Sequence, residues 1–125
     1  MRLWHKDLIP YLPRQQLLGQ HRDVCALRGL SWGKKHATVD YVFKHPYGWL
    51  VWYHYLVMYE MMDRGYNVDD KWLCGFYRGK QIGYDYSKRI SYGDYPEHNT
   101  VYLAECLLNL MRKNVYLLLI KLKRD

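Results

Sequence analysis

The sequence predicts a single all-α domain, compact, with three main helices joined by long irregular loops. Three observations carry this. The chain has 125 residues, half of them hydrophobic, which is enough for one core and not for two. Prolines 13, 46 and 96 stand where helices can open, and glycines 29 and 65 stand where the first two can stop. Between these signals, apolar residues recur at helical spacing.

The elements follow in order. Residues 1–12 read as an extended N-terminal arm, with Pro10 and Pro13 bracketing Tyr11 and Leu12. A first helix over 13–28 places Leu17, Leu18, Val24, Cys25 and Leu27 on one arc, with His21 inside it as a core histidine. Gln15, Gly19, Arg22, Asp23 and Ala26 share the opposite arc. Gly19 costs about 1 kcal/mol of helix propensity against Ala, so its place on the polar face suggests room for a close approach. Residues 36–44 read as a short helical piece. A second helix over 46–64 is apolar nearly all round, as a central helix would be. Residues 66–99 read as mostly irregular, with a short helix near 68–74. A third helix over 96–113 has Val101, Leu103, Ala104, Leu107, Leu108, Leu110 and Met111 as its expected buried arc, and His98, Glu105 and Arg112 on the other side. Residues 114–125 form an apolar, then basic, tail. Its six consecutive apolar residues need cover, which favours a homodimer.

Composition narrows the function. Lys plus Arg exceeds Asp plus Glu by 19 to 12, a net charge of +7, which points to an anionic partner such as nucleic acid or a nucleotide. The 14 Tyr and 5 Trp against 2 Phe suit surfaces that are partly buried and partly used for contact. Three widely spaced cysteines fit a reducing compartment better than a disulfide framework. Residues 1–7 lack the apolar stretch of a signal peptide, and six apolar residues fall short of the ~20 that span a bilayer. The expectation is a cytoplasmic protein with no membrane partner. The histidines and cysteines show no metal-ligand spacing, so no metal and no cofactor are expected. Arg22 with Asp23, and the basic run Lys34-Lys35-His36 after Gly33, are the charged groups placed for chemistry or phosphate contact. Glu60 and Arg64, spaced i,i+4, read as structural.

The stretch Gln15-Gln16-Leu17-Leu18-Gly19-Gln20-His21-Arg22-Asp23 resembles the first helix of the pyrimidine-dimer DNA glycosylase/AP lyase family of the endonuclease V type. His36-Ala37-Thr38, Arg64-Gly65-Tyr66-Asn67 and Tyr95-Pro96-Glu97-His98 follow in the family's order, so the resemblance covers about residues 1–113. It is closer to a bacterial and phage branch whose members begin Met-Arg-Leu-Trp and carry Leu-Leu-Gly-Gln-His-Arg. The resemblance implies a three-helix bundle in which the chain's own α-amino group attacks deoxyribose C1′ and forms a Schiff base. An α-amine titrates far below a lysine, so a useful fraction is neutral and nucleophilic at neutral pH. The implied catalytic residues are Met1, through its amine, and Asp23, which stands where the family has a glutamate. The bulky Arg2 after Met1 is expected to keep the methionine on the chain. Arg2, Gln15, Arg22, Lys34, Lys35 and Arg112 are candidate ligand and phosphate contacts, with His5 and His36 as helpers. The implied partner is damaged or abasic DNA. The rival reading is a non-catalytic binder that sequesters a nucleotide or other phosphorylated ligand in a basic pocket lined by Tyr and Trp. A third, a structural interaction module, rests on the apolar second helix and the tail.

Overall fold

The computed structural model describes residues 1–34 and 38–124, with side chains described through residue 113. The fold is all-α. Helix α1 spans Arg14–Arg28, α2 spans Tyr47–Asp63 and α3 spans Thr100–Arg124, with short 3-10 turns at Lys6–Tyr11, Asp40–Lys44 and Asp70–Leu73. Among the described residues the nearest thing to a sheet is one isolated bridge between Tyr77 and Tyr84.

Helix α1 opens after Pro13, whose carbonyl accepts the Leu17 N–H, and stops at Gly29, whose N–H closes onto the carbonyls of Cys25 and Ala26. Its buried side is Leu17, Val24 and Leu27 together with Gln20 and Arg28, two polar residues outside the apolar arc. Helix α2 buries residues around most of its circumference, as the unbroken apolar pattern predicts. It packs on α1 and on the Lys6–Tyr11 turn. The far side is covered by the long loop after it. There Gly48 is required, because a Cβ at that position would lie 2.2 Å from the Ser91 carbonyl oxygen. Gly65 ends α2 at a φ of 84°, where its N–H and that of Tyr66 donate to the Met62 and Met61 carbonyls.

Residues 1–12 are not an extended arm. Leu3, Trp4, Leu8, Ile9 and Leu12 are all buried, and the chain coils at Lys6–Tyr11 to turn them into the core. His5 caps that turn, its Nδ1 accepting the Asp7 N–H. Arg64 clamps it from below, donating to the carbonyls of Leu12 (2.7 Å) and Pro10 (3.1 Å) while Glu60 holds the guanidinium at 2.9 Å.

Helix α3 differs from its expected form at both ends and around its axis. It begins at Thr100, where the Asn99 side chain accepts the Tyr102 N–H, because residues 95–98 turn instead and bury Tyr95 and His98. It runs on through Arg124, so the backbone of the expected tail continues the helix. The tail's side chains, and the homodimer expected from them, lie outside the described residues. The side facing the body is Tyr102, Leu103, Cys106 and Leu110. Val101, Ala104, Leu107, Leu108 and Met111 are exposed. His98 is buried and does not continue the exposed Glu105 and Arg112.

Candidate active site

The first four residues are held by their own backbone. The Gln20 amide reaches from α1 in both directions, donating to the Arg2 carbonyl (2.9 Å) and accepting the Trp4 N–H (2.7 Å). Tyr53 on α2 donates its hydroxyl to the Trp4 carbonyl at 2.6 Å, also within reach of the Gln20 oxygen. The Tyr102 hydroxyl of α3 donates to the Leu3 carbonyl, and the Thr38 hydroxyl to that of Met1. All three helices thus contribute to placing the chain's first residue.

That placement brings Met1 to the rim of an open groove of about 400 Å³, lined by Arg2, Trp4, Asp23, Thr38, Asn109 and Lys113 as well. A second depression of about 300 Å³ shares Trp4, Asp23 and Lys113 with it and extends along α1 over Gln15, Gln16, Gly19 and Gln20. Lys113 lies over the Trp4 ring at 5.6 Å. Arg2 lies over Tyr102 at 5.9 Å, with Glu105 at 3.9 Å. The half-buried Asp23 therefore sits where the two depressions meet, near two cations.

Of the residues singled out in the sequence, Met1, Asp23, Arg2 and Gln15 line these depressions. Arg22 is exposed at their edge, its Nη2 lying beside Gly19. His5 is not a helper at the surface. It is buried and stacked on His98 at 5.5 Å, since the turn it caps faces the core. Lys34 is exposed in its loop and Arg112 is exposed on α3; neither lines the groove. Lys35 and His36 lie outside the described residues. Lys113, Trp4, Asn109 and Thr38 escaped sequence reasoning. Lys113 could have been found, because it is spaced from Cys106 by one heptad on the body-facing side of α3.

A second polar cluster fills the other side of α1. Arg28 is fully buried and has five neutral hydrogen-bond partners among the described residues. Its guanidinium donates to the carbonyls of Trp72 (2.9 Å), Cys74 (2.8 Å) and Tyr77 (3.0 Å), to the Tyr47 hydroxyl (3.3 Å) and to His54 Nδ1 (2.9 Å). Arg78 then donates to the carbonyls of Arg28 and Gly29, a cation at a helix C-terminus. His54 Nε2 is 2.8 Å from His21 Nδ1, and Cys25 Sγ is 3.8 Å from His54 Nε2 and His21 Nε2. The ligand atoms of His21, Cys25 and His54 all lie within 4.8 Å of one another, a set the linear spacing did not suggest.

Arg28 argues against a metal there. A histidine ligating through Nε2 keeps a proton on Nδ1 and gives it to an acceptor. His54 Nδ1 instead faces a guanidinium, which can only donate. It must therefore be the lone-pair nitrogen, which fixes the proton on Nε2, aimed at His21. Burial, then the Arg28 charge, hold His54 well below the ordinary histidine range. Burial, then Arg22 and Arg28, lower His21, and burial pushes the Cys25 thiol up to about 12. The cluster is a neutral hydrogen-bonded chain anchored on Arg28.

In comparison with known proteins, the family model for pyrimidine dimer DNA glycosylase matches residues 1–73, which include the N-terminal turn, α1 and α2. No curated protein and no solved structure matches. Among the described residues, no helix is long and apolar enough to cross a membrane.

Proposed function

From its place in the pyrimidine dimer DNA glycosylase family, to which this chain belongs, we propose that it acts on damaged or abasic DNA as a glycosylase/AP lyase with the Met1 α-amine as nucleophile. The observation that carries the reading is that Met1 and Asp23, twenty-two positions apart in sequence, line one groove with two cations. The amine lone pair adds to C1′ of the deoxyribose. Where a base is attached, its bond to C1′ breaks, the base leaves with that electron pair and a proton, and the C1′–O4′ bond opens. At an abasic site the aldehyde oxygen leaves as water. Both routes give an imine joining Met1 to C1′. Loss of a C2′ proton then expels the 3′ phosphate, and water returns the amine. Asp23 takes the proton that the attacking amine sheds and stabilises the cationic sugar. Arg2, Lys113 and Arg22 supply positive charge for the flanking phosphates.

The test is borohydride reduction during incubation with abasic-site DNA. A covalent protein–DNA adduct is expected, and acetylating the N-terminus should abolish it. An adduct that survives acetylation would move the nucleophile to a lysine, with Lys113 first in line. No adduct, with saturable binding of a small nucleotide and negligible binding of DNA, would select the sequestering binder instead.

A further inference from the structure

Helix α3 shows apolar side chains to two opposite sides. Toward the body it presents Tyr102, Leu103, Cys106 and Leu110. Away from it, Val101 is 77% exposed, Leu108 55% and Met111 60%, with Ala104 and Leu107 exposed alongside. Val101, Ala104, Leu108 and Met111 are spaced three, four, three. The sequence continues the rhythm at Val115, Leu118 and Leu122, and the helix runs to Arg124. Seven successive positions of a seven-residue repeat are thus apolar on a helix of 25 residues. A repeat of 3.5 residues sustained over three heptads is the pattern of a helix paired with another helix. The domain's own core already occupies the opposite side of α3.

We propose that this face is a seam for α3 of a second copy of the chain, packed antiparallel. Charge selects both the partner and the direction. Glu105 and Arg112 are exposed, sit one heptad apart and flank the seam on the same edge; Glu105 also lies 3.9 Å from Arg2 of its own chain and keeps most of its carboxylate in solvent. In an antiparallel pair like edges meet. Glu105 then faces Arg112 of the partner subunit, and the two-fold axis repeats the contact. A parallel pair sets Glu105 opposite Thr100 and Arg112 opposite Leu107, with no such match. The antiparallel register also seats Leu108 against Met111, so the layer next to the two-fold axis is apolar. Asn109 and Lys113, which line the groove, lie on the side of α3 toward the body and not on the seam.

The experiment is sedimentation equilibrium on the full chain. A dimer is expected. Leu108→Glu should weaken it by at least about tenfold, with near-ultraviolet circular dichroism unchanged. Arg112→Glu should weaken it too, and the double variant Glu105→Arg/Arg112→Glu should recover it. A full chain that stays monomeric at its highest soluble concentration overturns the proposal, whether or not it then binds lipid vesicles. So does a dimer indifferent to Leu108→Glu. Failure of the double variant to recover would overturn the antiparallel register.

Discussion

Helix α1 separates two polar assemblies that differ in almost every respect. On one side, Met1, Asp23 and Lys113 meet across an open groove. On the other, Arg28, His54, His21 and Cys25 form a hydrogen-bonded chain, with Arg28 and His54 wholly buried. Both hold residues that do chemistry in other proteins. The difference lies in what each residue's hydrogen-bonding capacity is spent on. In the buried cluster the guanidinium saturates carbonyls of the loop at residues 72–77, and each histidine nitrogen is fixed as donor or acceptor by its neighbour. In the groove it is the backbone that is saturated: Gln20, Tyr53 and Tyr102 hold main-chain atoms and leave side chains and the chain terminus at the surface. Residue type alone does not distinguish a reactive cluster from an architectural one; the partners do.

Removing one charge from each side should have opposite consequences. Arg28→Ala leaves three loop carbonyls and His54 Nδ1 without their donor in the interior, and unpaired buried groups cost about 1–3 kcal/mol each before any relaxation. A loss on the order of 4 kcal/mol is expected, a large part of a small domain's stability. Arg28→Lys should recover little of it, because one ammonium cannot span acceptors on three separated residues. Asp23→Asn should do the reverse. Stability should change by less than about 1 kcal/mol, while turnover on abasic DNA falls by ~10²-fold or more. Urea unfolding beside single-turnover kinetics reads both. A destabilised Asp23→Asn with normal turnover would make the groove architectural as well.

The buried histidines should also make stability depend on pH. His98, stacked between His5 and Tyr102, is pushed down to about 4, first by burial and then by His5; its Nε2 lies 2.6 Å from the Tyr41 hydroxyl, which donates to it. His54 lies well below its ordinary range for the reasons given above. In the unfolded chain both titrate near 6.5. Between about pH 6.5 and pH 4 the unfolded state therefore binds protons that the folded state refuses, so stability falls as pH falls through that window. Each histidine contributes about 1.4 kcal/mol per pH unit. Urea unfolding near pH 7 and near pH 5 should differ by several kcal/mol, and His98→Phe should reduce the difference. A flat profile would show that these histidines take up protons as readily in the fold as in the unfolded chain.

Much of the fold could be read before any coordinates. Helices α1 and α2 are bounded by Pro13, Gly29, Pro46 and Gly65 through local backbone chemistry, which sequence displays directly. What escaped was decided by tertiary contact. Residues 1–12 carry Pro10, are followed by Pro13 and look extended, yet five apolar side chains force the chain inward. Pro96 looks like a helix start, but Tyr95 and His98 are worth more buried in a turn, so α3 begins at Thr100. The apolar arc of α3 was visible; which of its two sides meets the body was not. Arg28 gave no signal, since a buried arginine is recognised only by the carbonyls around it. In the groove, Met1, Asp23, Arg2 and Gln15 were legible through the resemblance to the family. Lys113 and Asn109 come from outside the matched residues 1–73 and needed the packing of α3.

A gentler change is available on the groove's floor. Gly19 lies within α1, where glycine costs about 1 kcal/mol against alanine. Among the described residues no packing contact accounts for it. A Cβ there would meet only the Arg22 Nη2, at 3.9 Å, which is ordinary contact with the end of a mobile side chain. Gly19→Ala should therefore stabilise the protein by up to about 1 kcal/mol in urea unfolding, with no change in fold. If the glycine is there so that DNA can lie against the helix, the same methyl should weaken DNA binding, and the two effects should have opposite signs. Binding that improves or stays level while stability rises would mean that the DNA does not touch this part of the groove, and would confine the contact to the end formed by Met1, Arg2 and Lys113. A loss of stability would contradict the open floor itself.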